Sequence, residues 1–423
     1  MRKIKAVCFY LMLCLLILGI SSCKQPSVEQ PSDSEEDSLP DSDSESESSK
    51  ADDPPVEDPP VVLEPREEFA MEHTLKMLKN ENQLKIAYIG GSVTSGTGIE
   101  ETEKYSWRAL TTAWFKEQYP DAHISEVSAS IGGTGSLLGV FRYDYEVLDE
   151  EPDLIFIEFA INDCHEGRSY KDAVSTMEGM VRKTLRSRPC ADIVIVLTTD
   201  EMRGTSEFDS MRAHADVAKA YGIPYICVGK ELASHIFASG EAWETYFTDY
   251  VHPNINGYAF YATVVRARLE KLLNGTEKAA YVTPEYPLGT TDYLNAGILL
   301  PKQVMKDATA DGFSRQFQSF SWVGERYGGI LTAMRKDATL TFTFTGTDFG
   351  LFYNTAPDAG TVSIEVDGKP FHKVDAYAQK QFPCAALWTQ ELSAGTHTVT
   401  IRVTGQNPSS SGCKIDIGAI LYR

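Results

Sequence analysis

From residue 84 the chain alternates short apolar runs with helix-length stretches. The runs Leu84–Ile89, Leu154–Phe159, Ile193–Leu197 and Ile223–Val228 are largely apolar, and the shorter Ile124–Val127 carries Ser125 and Glu126 between its apolar ends. Continuous rather than alternating apolar residues predict strands buried on both faces. Ser106–Gln118, Tyr170–Ser187, Met211–Tyr221 and Gly257–Leu273 read as the helices between and after them. Strand and helix in alternation predict an α/β domain of three layers, with a parallel sheet covered by helices on both faces. We place it at 66–280. From about residue 290 the period changes to two. Leu340, Phe342 and Phe344 are spaced by threonines, and Val362, Ile364 and Val366, then Val399, Ile401 and Val403, repeat the pattern, as do Ile415 and Ile417. Turn signals at Asp367-Gly368 and Ala394-Gly395 separate these runs. That pattern predicts an antiparallel all-β sandwich or jelly roll over 281–423, with one wet face per sheet.

The first 65 residues follow neither pattern. Arg2, Lys3 and Lys5 precede the apolar run Ala6–Ile20, and Ser21-Ser22-Cys23 follows. A basic start, a short apolar core and small residues form a secretory signal. The cysteine after them resembles a bacterial lipobox. Residues 1–23 are therefore expected to be a lipoprotein signal peptide, with Cys23 lipidated and the mature chain exported and anchored to a membrane at the cell surface or in the periplasm. Residues 24–65 are Ser, Asp, Glu and Pro with almost no large apolar side chain. Such a segment cannot offset its ordering entropy and reads as a disordered acidic linker. Of the formal charge of −21 the signal carries +3 and the linker −12, so the folded part keeps −12. With 39 Lys and Arg against 60 Asp and Glu, the chain is a poor match for nucleic acid.

Reactive groups in parallel sheets collect beyond the carboxyl ends of the strands. The first such loop, Gly90-Gly91-Ser92-Val93-Thr94-Ser95-Gly96, presents Ser92 at a strand-to-helix junction. A phosphate loop would also be glycine-rich, but no Lys-Ser/Thr pair follows at the required spacing. The second, Gly132-Gly133-Thr134-Gly135, can aim backbone N–H groups at a developing negative charge. The third holds Asn162, whose amide can donate into the same spot or merely form a turn. The fourth holds Asp249 and His252, spaced so that the carboxylate can orient the imidazole, though a capping Asp beside a surface His reads the same way. No Cys-x-x-Cys or His/Cys cluster suggests a metal, and no cofactor is expected.

Taken together, the order and strand context of these four loops resemble the SGNH (GDSL-like) hydrolase family, over about residues 84–275, which implies a flavodoxin-like three-layer α/β/α fold. The resemblance implies Ser92 as nucleophile, Asp249 and His252 as acid and base, and an oxyanion hole of Ser92, Gly133 and Asn162. The family's usual Gly-Asp-Ser is Gly90-Gly91-Ser92 here, as in a carbohydrate-esterase-like branch. Ala160 stands where a glycine often precedes the asparagine. Ser128 replaces an asparagine that often lies five before the oxyanion glycine, which leaves Gly132 and Gly135 open as alternatives to Gly133. The activity implied is removal of acetyl or other short acyl groups from an acetylated poly- or oligosaccharide through an acyl-enzyme. The alternatives are an acyltransferase or lipid-directed esterase with the same chemistry, or a glycan-binding lipoprotein with an inactive hydrolase domain. Trp243 and Arg203 are candidate substrate contacts. Trp322 and Trp388 are candidates for sugar stacking or for the sandwich core, and Trp107 and Trp114, at i and i+7, for the hydrolase core. Once the signal and Cys23 are set aside, Cys164, Cys190, Cys227, Cys384 and Cys413 remain. Cys384 and Cys413 share the C-terminal region and could pair there.

Overall fold

The computed structural model describes residues 71–276, 282–285, 287–317, 320, 323–390 and 392–423. The expected signal peptide, Cys23, the acidic linker and Trp322 lie outside the described residues. Strands β1 (Gln83–Gly90), β2 (His123–Ser130), β3 (Leu154–Glu158), β4 (Asp192–Val196) and β5 (Tyr225–Ile226) form one sheet, ordered β2-β1-β3-β4-β5. All four neighbouring pairs are parallel. This is the flavodoxin-like order, in which the winding reverses between β1 and β3 and a crevice opens beyond their carboxyl ends. The apolar runs are continuous because both faces are covered. On one face Ile86, Tyr88 and Phe156 pack with Trp107, Trp114, Phe115, Val265 and Leu269. On the other, Ala87, Ile89, Ile155 and Ile157 pack with Val140, Phe141, Met177, Met180 and Val181.

Helix starts follow local chemistry. Ser106 accepts a hydrogen bond from the Ala109 N–H at the head of Trp107–Gln118, and Ser169 one from Asp172 at the head of Tyr170–Ser187. Asn254 accepts from Asn256 and Gly257 and opens Ile255–Leu273. Such caps satisfy N–H groups that the helix leaves without partners. Periodicity missed Val228–Ser239, a helix that begins where a strand was expected to finish. The run Ile223–Val228 straddles the junction: only Tyr225–Ile226 is strand, and Val228, Leu232 and Ile236 continue along a helix face.

The C-terminal region holds two antiparallel sheets. The first runs β13 (Lys369–Asp375), β12 (Gly360–Val366), β15 (Gly395–Gln406), β10 (Thr339–Gly346) and β7 (Thr309–Asp311). The second runs β14 (Phe382–Trp388), β11 (Phe349–Thr355), β16 (Ile415–Tyr422), β9 (Ile330–Ala333) and β8 (Phe313–Gln316), with β6 (Gly297–Leu299) also paired to β16. The alternating Leu, Phe, Val and Ile positions of β10, β12 and β15 meet between the sheets. The intervening threonines face outward and pair across strands, Thr341 with Thr400 and Thr345 with Thr396, each at 3.0 Å. Trp388 packs on Phe349 and stacks on His372 within the sandwich.

Strand β16 breaks the alternation, and the reason is structural. Ile415, Ile417 and Ile420 face the sandwich core. Ala419 and Leu421 instead join the hydrolase-side core, with Phe320, Val323, Tyr327, Ile330, Phe352 and Leu387. The second sheet is thus buried on both faces, and one apolar core runs across the seam between the two folds. The Cys384–Cys413 bridge is not formed. Cys384 sits opposite Tyr353 in the β14–β11 ladder, while the Cys413 thiol, just ahead of β16, donates to the Met334 carbonyl at 3.5 Å. Among the described residues no helix is long and apolar enough to cross a membrane.

The packing predicts a large cost for opening the sheet. Phe156 stacks on Tyr88, with centroids 5.0 Å apart, and meets Trp107 edge-on. Phe156→Ala should lower unfolding stability by about 3–5 kcal/mol, read as a lower urea midpoint.

Candidate active site

The crevice at the ends of β1 and β3 is built on a buried carboxylate. Glu158, the last residue of β3, is fully buried. It accepts the Thr94 hydroxyl at 2.8 Å and the Thr198 hydroxyl at 2.7 Å, and it also accepts the Gly91 N–H. Burial pushes its carboxyl above the usual range, against the pull of those donors. Above it the chain is too tightly packed for side chains. A Cβ at Gly90 would lie 2.2 Å from the Thr94 Oγ1, and one at Gly91 2.2 Å from Oδ1 of Asn162. Two glycines are therefore required, and the turn they make places Ser92 at the start of the helical turn Ser92–Ser95.

The structure brings Ser92, His252 and Asp249 into line. His252 Nε2 lies 2.9 Å from the Ser92 Oγ, and its Nδ1 2.7 Å from Asp249 Oδ2. The other Asp249 oxygen accepts the N–H groups of Val251 and His252, both at 2.8 Å. Partial burial opposes its charge, but the His252 ring and these two N–H groups outweigh it and hold the Asp249 carboxyl below the usual carboxylate range. The loop is fastened on its far side. Trp243 donates its indole N–H to the Asp249 carbonyl at 3.0 Å and stacks on Phe247 at 3.8 Å. The His252 side chain is 21% exposed and that of Asp249 45%, so the line of groups opens to solvent. In this geometry an imidazole can take the hydroxyl proton as oxygen attacks an electrophile.

Two further loops face the hydroxyl. Gly132 comes closest of the second loop, its Cβ position 3.7 Å from the Ser92 Cβ. Gly133 takes a left-handed φ of +74°. The Gly135 N–H is taken by Glu166 at 2.6 Å and the Ser136 N–H by Asp163 at 2.7 Å, so neither is free for a ligand. Among the described residues the N–H groups of Ser92, Gly132 and Gly133 have no acceptor. The Asn162 side chain is 8% exposed, and its Oδ1 has no hydrogen-bond partner among the described residues. That oxygen packs over the Gly91 turn, while Nδ2 donates to no group among the described residues and so offers a free N–H beside the nucleophile.

The reading from sequence missed a second histidine–carboxylate pair. His165 lies three residues after Asn162 on the helix Ala160–His165, and its Nε2 is 2.9 Å from Asp200 Oδ2. Arg203 binds the same carboxylate, at 2.5 Å from Oδ2 through its guanidinium and at 2.9 Å from Oδ1 through its N–H. Asp200 is buried, which opposes ionisation, but His165 and Arg203 hold its carboxyl below the usual range. The Glu201 N–H donates to the Tyr250 carbonyl at 2.8 Å, tying this cluster to the His252 loop. The i, i+3 spacing of Asn162 and His165 was the available signal. Among the described residues no group of His, Cys, Asp and Glu could hold a metal ion.

Residues 88–260 match the model of the GDSL-like lipase/acylhydrolase family. No curated protein matches the chain. Among solved structures it is similar to a two-domain esterase active on acetylated mannans. Against the form co-crystallised with mannopentaose the identity is 22% and the TM-score 0.70, covering 83% of this chain and 94% of that one. Against the form described without it the identity is again 22%, the TM-score 0.71, and the coverage 84% and 95%. An acetylxylan esterase from Geobacillus stearothermophilus is 18% identical, with a TM-score of 0.37 over 45% of this chain and 94% of that one. Residues 88–260 thus match the GDSL-like lipase/acylhydrolase family, and with the antiparallel sandwich behind them the chain shares its two-domain fold with the esterase active on acetylated mannans.

Proposed function

We propose that this protein is a serine esterase that removes acetyl, or similarly short acyl, groups from carbohydrate. The observation that carries the reading is the Ser92–His252–Asp249 line, with contacts of 2.9 and 2.7 Å, facing the Asn162 amide, whose Nδ2 has no acceptor among the described residues. Ser92 Oγ attacks the ester carbonyl while His252 Nε2 takes its proton. Asp249 stabilises the imidazolium, and its two backbone donors keep it facing Nδ1. The N–H groups of Ser92 and Gly133 and the Asn162 amide receive the negative charge on the tetrahedral oxygen. His252 returns the proton to the leaving sugar hydroxyl. Water then repeats the sequence on the acyl-enzyme, freeing the acid and restoring Ser92.

Acetylated glycan as substrate is supported by the shared architecture with the esterase active on acetylated mannans. The relay opens to solvent, which suits an ester displayed on a polymer. Export and lipid attachment at Cys23 complete the proposal: a tethered enzyme meets glycan outside the cytoplasm.

Ser92→Ala should abolish release of acetate from acetylated mannan or xylan, and Asn162→Ala should lower kcat about 100- to 1000-fold. Both should leave circular dichroism unchanged, and full activity in a purified Ser92→Ala protein would falsify the assignment. A preference for long acyl chains over acetate would instead favour a lipid substrate. The pH profile follows from the depressed Asp249 carboxyl. That group stays charged through the range in which imidazoles take up a proton, about pH 5 to 8. Its hold on the loop is lost only as pH falls through its own lowered value. kcat/KM should therefore decline on acidification in one protonation step, and a two-step decline above pH ~5 would contradict the assignment. In a bacterial host, Cys23→Ser should abolish incorporation of labelled fatty acid. Labelling that survives the substitution would remove the anchor proposal and leave the catalytic one untouched.

A further inference from the structure

The loop that faces Ser92 is held from two sides, by the hydrolase domain and by the sandwich. Strand β2 lies at the edge of the parallel sheet and leads directly into Ile131–Gly135. Carbonyls two residues apart on a strand point the same way, so Ser128 and Ser130 present theirs side by side. Arg326, from the helical turn Val323–Arg326, takes both, with Nη2 3.0 Å from the Ser128 oxygen and Nη1 2.9 Å from the Ser130 oxygen. The carbonyl between them, that of Ala129, accepts from Arg142 Nη1 at 2.5 Å, and Arg142 Nη2 reaches the Gly90 carbonyl at 3.3 Å. Glu146 pairs with both guanidiniums, accepting from Arg142 at 2.5 Å and Arg326 at 3.2 Å.

Beyond this clamp the loop has little freedom. The Ile131 N–H donates to the Gly90 carbonyl at 3.0 Å. Gly132 then lies against Ser92 on one side, while a side chain at Gly133 would begin 3.0 Å from Cζ of Phe382 and 3.3 Å from Cγ of Pro383, at the start of β14. The segment is thus pinched between the nucleophile and a strand of the sandwich. Its far end is fixed by Glu166 and Asp163.

We propose that Arg326 is a positioning residue for ester hydrolysis, acting from outside the hydrolase fold to fix the backbone donors of the Ser128–Gly133 segment against the Ser92 hydroxyl. The inference rests on the esterase reading and extends it, because it gives the sandwich a part in the chemical step itself. The planar guanidinium holds its N–H groups at a fixed spacing that spans both carbonyls, whereas a lysine ammonium has three donors on a single nitrogen and cannot reach both at that spacing. A displacement of these donors by about 1 Å lowers turnover on the order of 100-fold without altering how substrate first binds.

The test uses the full chain with Arg326→Ala and Arg326→Lys, assayed on a small aryl acetate and on an acetylated oligosaccharide. We expect kcat to fall about 10- to 100-fold on both substrates in the alanine variant, with KM within about twofold of wild type. The lysine variant should recover part of the loss. If the alanine variant does not fold, the lysine variant carries the test, since it can keep the pairing with Glu146; its kcat should still fall at an unchanged melting temperature. An unchanged kcat on both substrates overturns the inference. So does a defect confined to the KM of the oligosaccharide, which would make this region a glycan-holding surface. A wild-type protein inactive on the aryl acetate removes the esterase reading and this inference with it, whereas an active wild type with unaffected variants removes only the role of Arg326.

Discussion

The carboxylate of Glu158 joins the carboxyl ends of three strands, and the geometry above it depends on that joint. It stands at the end of β3, binds the turn after β1 through Gly91 and Thr94, and binds Thr198 just beyond β4. An apolar residue here would leave two hydroxyls and an N–H buried without partners, at about 1–3 kcal/mol each. With the carboxylate in place the turn sits low enough for Asn162 to pack directly over Gly91. The close approach explains why this chain has Gly90-Gly91-Ser92: the amide occupies the space a side chain at position 91 would need.

A second polar knot lies farther from solvent and serves the loop opposite. Asp163 accepts the Ser136 N–H and hydroxyl at 2.7 and 2.6 Å and lies 3.0 Å from the fully buried His214. Serine, histidine and aspartate meet here too, but no path from solvent reaches a buried imidazole, and the constellation binds the helix Ser136–Glu146 to its neighbours. Access and order of contact separate the two sites: at the surface the imidazole stands between hydroxyl and carboxylate, while in the interior the carboxylate stands between hydroxyl and imidazole.

The layers of the fold were legible because burial on two faces and burial on one face write different periods. Runs such as Ile193–Leu197 carry no polar interruption, and Phe342 and Phe344 alternate with threonine. The ends of elements were less legible. Val228–Ser239 was hidden because one apolar run supplies both the end of a strand and the start of a helix. At the site, Ser92, Asp249 and His252 could be found because each sits beside a strand end or a turn in a recognisable order. Glu158 and Arg326 could not, since their partners lie tens to hundreds of residues away and nothing local marks a buried carboxylate as satisfied, and the pairing of His165 with Asp200 likewise joins separate loops. The same holds for β16, whose apolar run Ala419–Leu421 becomes intelligible only once its outer face is seen against the hydrolase core.

The shared core at that seam bears on how such a protein handles a polymer. A sugar-binding module on a loose tether searches a volume and delivers its catalytic partner to many places along a chain. Here Ala419, Leu421, Phe352 and Leu387 are packed into the same interior as Phe141 and Met180, so the sandwich has no hinge on which to swing. Its spacing from Ser92 is set once, during folding, and it behaves as a fixed ruler: whatever lies along the sandwich meets the reactive hydroxyl at one distance and from one side.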